Sequence, residues 1–279
     1  MNERANGRAG GGRRVAVVTG ASGGIGRATA RTLREAGFTV VGTSRNGEAG
    51  ETGGGSGFAE LDVTDDRSVR GLVSDVIAQF GRIDVLVNNA GAGLAGAAEE
   101  TSLEQVRSVF EANVMGVIRM TNAVLPHMRQ GGRGRIINIS SVLGLIPAPF
   151  MAVYAATKFA LEGYSESIDH EVRGYGVRVS LVEPGYTRTG FESNTQWGET
   201  PLPAYEEQRE TARKVIAEAM RTADAPEVVA ETVLTAVTAP APKARYAAGR
   251  TAKAATMLRR LAPASVFDAQ IRKLNQLAK

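Results

Sequence analysis

The sequence predicts an α/β protein built on one doubly wound parallel sheet with helices on both faces. Three observations carry that expectation. Strand-like and helix-like segments alternate along the whole chain, without internal repeats. A β-branched run, Val15, Val17, Val18 and Thr19, breaks into a glycine-rich turn and then into a helical stretch over 25–35. Residues 83–87, Ile-Asp-Val-Leu-Val, place apolar side chains on both faces, as a central parallel strand does.

Composition bounds the function. The 279 residues suit one domain with tails. We expect a disordered Arg/Gly-rich tail over 1–13, a cofactor-binding and catalytic core over 14–190, and a substrate-lid and helical region of the same domain over 191–279. The absence of cysteine excludes disulfides, thiolate metal sites and thiol nucleophiles. No run of eighteen apolar residues occurs and the first residues have no apolar core, so neither a membrane span nor a secretory signal is expected. A soluble cytoplasmic protein is the expectation. The net charge of +4 is uneven: residues 1–14 carry +3, and residues 243–279 carry nine Lys/Arg against Asp268, or +8. Basic ends attract nucleic acid or anionic membranes. The C-terminal charges alternate with apolar residues as on the solvated face of surface helices, and no nucleic-acid partner is expected.

The glycine-rich turn reads as a phosphate cradle. Gly20, Gly24 and Gly26 let backbone approach a ligand without a Cβ, and the free N–H groups of the helix start, around Ser22, Gly23, Gly24 and Ile25, suit a pyrophosphate. Thr-Gly-x-x-x-Gly-x-Gly is a variant of the dinucleotide fingerprint. The second strand, over 39–43, ends at Ser44 and Arg45. A basic residue there accommodates a 2′-phosphate, where an acidic one would hold a free ribose hydroxyl, so NADP(H) is expected in preference to NAD(H). Residues 46–57 are dominated by glycine and read as a flexible loop.

A third strand over 58–61 leads to Asp62 and Val63, a helix covers 65–80, and the strand over 83–87 ends at Asn88-Asn89-Ala90-Gly91. Asn113 lies within a long helical pattern over 103–129, where the plain reading is a solvated side chain. The strand over 135–139 closes on Ser140 and Ser141. On the following helix, 153–173, Tyr154 and Lys158 are four apart and share a face. A phenol has a pKa near ~10, and a nearby ammonium favours its phenolate, so Tyr154 is the candidate general acid/base. The strand over 177–182 runs into Pro184-Gly185, where proline ends the ladder, and then to Thr187 and Thr189.

Thr19-Gly20-x-x-x-Gly24-x-Gly26, the Asp62 step, Asn88-Asn89-Ala90-Gly91, Asn113, Ser141, Tyr154-x-x-x-Lys158 and Pro184-Gly185 occur in one order on one chain. Together they resemble the short-chain dehydrogenase/reductase family over about residues 14–190, and the run from Gly144 to Gly163 resembles its hydroxysteroid-dehydrogenase-like branch. The resemblance implies a Rossmann-type fold. It implies that Ser141, thirteen residues before Tyr154, hydrogen-bonds the reacting oxygen, and that Lys158 holds the nicotinamide ribose hydroxyls. Asn113 would hold a water linking the lysine to solvent. Asp62 and Val63 would flank the adenine. Asn88, Asn89, Ala90 and Gly91 would support the sheet and approach the cofactor, and Pro184, Gly185, Thr187 and Thr189 would lie near the carboxamide and phosphates. Homodimers or homotetramers are implied too, consistent with the small residues Ala155, Ala156, Ala160 and Gly163. The glycine-rich loop replaces the family's usual helix after the second strand.

Past residue 190, Phe191, Trp197, Leu202 and Tyr205 read as a mobile lid, followed by helices over 206–220 and 226–237, a strand over 244–247 and a helical tail over 251–277. The apolar Val142, Leu143, Leu145 and Ile146, with Pro147 and Phe150, would border a lipophilic ketone, aldehyde or secondary alcohol. His127 and His170 read as surface residues, and no metal site is expected. The alternative is a sensor or scaffold that binds NADP(H) without turnover.

Overall fold

Every side chain of β1 (Val15–Val18) is buried: Val15 and Val17 join the apolar cluster on one face of the sheet, Ala16 and Val18 the cluster on the other. The computed structural model describes residues 13–47, 58–191 and 194–277. After β1 come β2 (Thr39–Ser44), β3 (Ala59–Glu60), β4 (Val85–Asn88), β5 (Leu94–Ala95), β6 (Gly134–Ile139), β7 (Val177–Pro184), β8 (Gln196–Trp197) and β9 (Arg245–Ala248). Seven of these form one parallel sheet in the order β3-β2-β1-β4-β6-β7-β9, while β5 and β8 pair separately.

The helices are α1 (Gly24–Glu35), α2 (Asp66–Phe80), α3 (Leu103–Phe110), α4 (Gly116–Gln130), α5 (Ala152–Val172), α6 (Glu206–Arg221), α7 (Pro226–Thr238), α8 (Arg250–Leu261) and α9 (Ala264–Leu274). On one face Val69 and Val76 of α2, Met120 and Val124 of α4, and Ile168 of α5 meet Val15 and Val17. On the other, Ala30 and Leu33 of α1 and Val229 and Val233 of α7 meet Ala16 and Val18. This is the Rossmann-type doubly wound sheet. Local chemistry sets the helix ends: Asp65 accepts from the N–H groups of Arg67 and Ser68 to start α2, and Gly81, at φ 71°, stops it.

The topology creates the crevice. The chain leaves β1 toward β2 and β3, then returns to the opposite side of β1 to form β4, so the loops after β1 and β4 diverge at the carboxyl edge of the sheet. Thr19 joins them. Its Oγ1 accepts from the N–H of Asn89 (3.0 Å) and of Ala90 (2.9 Å), and Asn89 Nδ2 donates back to the Thr19 carbonyl (2.9 Å).

The structure differs from the sequence reading in several places. The helix expected over 103–129 is interrupted by a π-helical turn, Glu111–Met115, between α3 and α4. The helical tail is two helices, because Pro263 cannot continue α8. The β5–β8 ribbon was not expected, since two-residue strands leave no periodic signal. Pro184 is the last paired residue of β7, so the ladder stops where expected. The 1–13 tail, apart from Arg13, and residues 48–57 of the glycine-rich loop lie outside the described residues.

Behind the crevice lies a buried ionic cluster. Arg245 of β9 meets Glu162 (2.7 Å) and Glu166 (2.7 Å) of α5 and Glu183 (3.2 Å) of β7. Burial pushes the Glu162 carboxyl up to about 7 and raises that of Glu183. Arg245→Met strands these carboxylates, and we expect it to cost about 3–5 kcal/mol near neutral pH. A carboxyl with a raised native pKa is penalised only as pH rises through that value, so the deficit should shrink as pH falls toward 4.5, the ordinary glutamate value. Urea unfolding of both proteins across this range checks it.

Candidate active site

Three elements bring the predicted polar residues together. β6 delivers Ser140 and Ser141 at its carboxyl end, α5 carries Tyr154 and Lys158 one turn apart, and the π-helical turn carries Asn113. Ser141 caps the short turn Val142–Gly144 by accepting from the Leu143 N–H (3.1 Å), and its hydroxyl lies close enough to the Tyr154 phenol to favour the ionised form. The Lys158 Nζ donates to the Ile139 carbonyl (2.8 Å) and lies 5.6 Å from the Tyr154 ring centroid.

Electrostatics here differ from the sequence expectation. The ammonium was expected to draw the Tyr154 phenol toward phenolate. Burial instead raises the phenol above its ordinary value, against the opposing hydrogen bond with Ser141, so the protein alone holds it protonated. Burial also lowers Lys158 to about 8, with the Glu162 charge opposing.

Asn113 is not a solvated helix residue. It is 2% exposed, donates from Nδ2 to the Ala92 carbonyl (2.9 Å) and to Thr157 Oγ1 (3.1 Å), and accepts at Oδ1 from the Ala92 N–H (2.8 Å). A π-helical turn rotates one residue out of the 3.6 period, and such turns recur at functional sites. Gly91 packs so closely that a Cβ there would stand 2.9 Å from Asn113 Oδ1. Asn88 has a structural place: it donates to Asn138 Oδ1 (2.8 Å), and Asn138 donates to Ser165 Oγ (2.8 Å), tying β4 to β6 and α5. Asn138, Thr157, Ser165 and Glu162 were missed as participants. Their only signal was polarity at positions that a core strand or helix would fill with apolar groups.

The cradle after β1 accommodates a dinucleotide pyrophosphate. Gly20 and Gly24 have φ of 65° and 50°, which a Cβ would strain, and a Cβ at Gly26 would collide with the Gly20 carbonyl. Gly23, the N-cap of α1, has open space where a Cβ would stand, and no side chain caps the helix there. Ser22 and Ile25 flank it. Thr189 reaches across from the β7 side and would stand 2.9 Å from a Cβ on Gly24. At the end of β2, Thr43 Oγ1 and Ser44 Oγ are buried with no partner among the described residues, as expected where a ligand supplies one, and Arg45 beside them is exposed. Asp62 Oδ1 is engaged by the N–H (2.8 Å) and hydroxyl (2.7 Å) of Thr64, Val63 packs against Gly116, Gly185 lies against Thr251, and Thr187 donates to the Gly185 carbonyl (3.1 Å).

The segment expected to form a lid sits on the site. The Phe191 ring lies 5.6 Å from that of Tyr154, tilted by 56°. Farther along, the segment is anchored rather than free. Glu100, 1% exposed, accepts from the Leu202 N–H (2.9 Å) and is bonded to Arg209 of α6, Gln105 donates to the Trp197 carbonyl (3.0 Å), and Arg213 stacks on the Trp197 ring. Between α6 and the segment before α5 lies a narrow cleft of about 10 Å³, lined by both apolar and polar side chains, among them Phe150, Met151, Tyr186, Gln208, Ile216 and Asn275. Phe150 holds φ of 62°, a strained value for an aromatic residue, with its carbonyl accepting from Gly96 (2.8 Å). His127 and His170 are exposed, and among the described residues no group of three His, Asp or Glu could hold a metal.

The short-chain dehydrogenase family model matches residues 14–199, and the chain belongs to that family of oxidoreductases acting on alcohol and ketone groups. A 3-ketodihydrosphingosine reductase of Bacteroides thetaiotaomicron is 46% identical over 180 residues, which is 64% of this chain and 66% of that protein. The mouse 17-beta-hydroxysteroid dehydrogenase type 1 is 39% identical across 83% of this chain and 72% of its own length. Among solved structures, a short-chain dehydrogenase from Streptomyces avermitilis superposes with a TM-score of 0.82 at 34% identity, covering 96% of this chain and 98% of that one. A metagenomic short-chain oxidoreductase in complex with NADP gives 0.67 at 29% identity, covering 84% and 96%.

Burying the ammonium of Lys158 has a measurable consequence. Its pKa falls from 10.5 to about 8, so the native state binds that proton less tightly than the unfolded chain does. Native stability is penalised as pH falls through 8, and the penalty is absent above 10.5. Lys158→Met should therefore melt several degrees higher than the parent at pH 7, on the order of a 2–4 °C gain per kcal/mol. The gain should vanish in strongly alkaline buffer, read by calorimetry.

Proposed function

We propose that this protein is an NADP(H)-dependent oxidoreductase that interconverts a lipophilic carbonyl compound and its alcohol, with Tyr154 as general acid/base. The observation that carries the reading is the buried pair of Tyr154 and Lys158 on one face of α5, with the Lys158 Nζ 5.6 Å from the Tyr154 ring centroid and bonded to the Ile139 carbonyl at the end of β6, next to Ser141. Bound in that crevice, the cofactor supplies or accepts hydride. The residues of the chain handle the proton and the geometry. The Ser141 hydroxyl orients the substrate oxygen, and Tyr154, kept protonated by burial, gives that oxygen its proton in the reductive direction. Lys158 holds the nicotinamide ribose, and Asn113, pinned to Ala92, keeps the solvent side of the lysine ordered. Gly20, Ser22, Gly23, Gly24 and Ile25 hold the pyrophosphate, and Ser44 and Arg45 the 2′-phosphate. Asp62, Val63, Asn89, Ala90, Gly91, Pro184, Gly185, Thr187 and Thr189 complete the cofactor site.

The names of the two relatives, a ketodihydrosphingosine reductase and a hydroxysteroid dehydrogenase, support a lipophilic substrate, as does the exposed Phe191 ring against Tyr154. A homodimer or homotetramer is part of this reading. Of the small residues on α5, Ala156 and Gly163 are exposed beside Phe159, while Ala155 is buried and serves the core instead.

Two substitutions test the assignment. In NADPH-oxidation assays over aliphatic, aromatic and steroid-like ketones, Tyr154→Phe should lose roughly 10²–10⁴-fold in turnover while NADPH affinity stays near that of the parent. Full turnover in the Phe variant refutes the role of Tyr154. Tight NADPH binding with no turnover of any ketone or alcohol by the parent favours the sensor or scaffold reading. Arg45→Asp should shift the NADPH-to-NADH affinity ratio at least about tenfold toward NADH, the worth of a lost charge-assisted hydrogen bond. An unchanged ratio removes Arg45 from the cofactor site.

A further inference from the structure

Helices α8 and α9 lie beyond the stretch that the family model matches, and they present an unusual surface. Met257 (63% exposed), Leu261 (75%), Val266 (53%) and Leu274 (56%) are large apolar side chains left in solvent. They share their faces with exposed cations. On α8, Lys253, Met257, Arg260 and Leu261 recur at helical spacing, and on α9, Val266, Lys273 and Leu274 do. Other side chains of the two helices are packed: Ala252, Phe267 and Ile271 are buried, and the Arg259 guanidinium lies 4.8 Å over the Phe267 ring, joining the two helices. The residues just after α9 reach the substrate side, where Asn275 and Leu277 line the cleft with Phe150 and Met151.

A surface both apolar and cationic selects its partner by charge. A second copy would bring the same excess, +8 over residues 243–279, against itself. Nucleic acid answers the cations but not the methionine, valine and leucines. An anionic lipid surface answers both, with acyl chains for the apolar side chains and headgroups for Lys253, Arg260 and Lys273. We propose that α8 and α9 dock this protein on anionic lipid membranes as a peripheral, non-spanning contact, which brings the α9 side of the cleft to the lipid. Only this last step rests on the lipophilic-substrate reading. The docking does not.

The full chain should be sedimented with phosphatidylcholine vesicles and with vesicles that also contain phosphatidylserine, at low and high salt. Binding is expected only to the phosphatidylserine vesicles and is weakened by salt. Met257→Asp with Leu261→Asp should abolish it. Lys253→Gln with Lys273→Gln should weaken partitioning about 25-fold, as roughly fivefold per charge compounds. Because these side chains are exposed, melting temperature and NADPH affinity should match the parent. Four results overturn the proposal: no sedimentation with either vesicle, equal sedimentation with both, binding insensitive to the substitutions, or a dimer or DNA complex that the same substitutions dissolve. Sedimentation without any turnover leaves the docking standing and sinks the enzymatic reading, while turnover without sedimentation does the reverse.

Discussion

The ammonium of Lys158 is the most demanding group in the structure. It is enclosed by protein at the carboxyl end of β6, with the Ile139 carbonyl as its hydrogen-bond partner and, among the described residues, no carboxylate in salt-bridge contact. An isolated buried cation is destabilising. The fold tolerates it because the strand end supplies a carbonyl and because Glu162, one turn along α5, adds favourable charge. The depressed pKa shows that the compensation is partial. A group kept at that cost has to be held in place, and the surroundings of α5 serve that end.

They do so through a polar stripe. Tyr154, Lys158, Glu162, Ser165 and Asp169 recur at helical spacing along α5 and are all buried. Each has a different tether. Tyr154 meets Ser141, Lys158 the end of β6, Glu162 the Arg245 cluster, Ser165 the Asn88–Asn138 chain, and Asp169 the Val179 N–H (2.9 Å) and Arg178. The helix is thus registered against β4, β6, β7 and β9 by directional bonds, which an apolar face alone would leave free to slide. Apolar burial decides that α5 packs on the sheet. The polar stripe decides where along the sheet Tyr154 stops.

This division also explains what was legible in the sequence. The strand–glycine–helix opening, the parallel sheet and the Tyr154–Lys158 pair follow from local spacing, so the sheet and the centre of the site were readable. The surroundings depended on contacts far apart in sequence. Helical pattern alone left Asn113 looking solvated, and only the family resemblance put it at the site, because a π-helical turn is set by what the side chain finds across the crevice, here Ala92, twenty-one residues earlier. Glu162, Glu183 and Arg245 come from three elements and show their relation only when β7 and β9 lie side by side. Pro263 was a visible signal, and the break it makes in the last helix follows from proline chemistry alone. The ionisation of Tyr154 was misread for a related reason: spacing brings an ammonium near a phenol, but only burial shows that desolvation outweighs its field.

The cleft beside Phe150 is shared between the core and the C-terminal region. Its wall comes partly from the segment just before Tyr154, at Phe150 and Met151, and partly from α6 and the residues after α9, most of which lie past the family match. The reacting groups are built by the core that the family model matches, and the cleft is bordered largely by residues past that match. The added part also carries the positive charge: residues 243–279 hold +8, while residues 15–242 hold −7. A molecule with that separation of charge is oriented by an anionic surface before it touches one. The end that leads is the one contributing Asn275 and Leu277 to the cleft, so the charge asymmetry sets which side of the molecule would face such a surface.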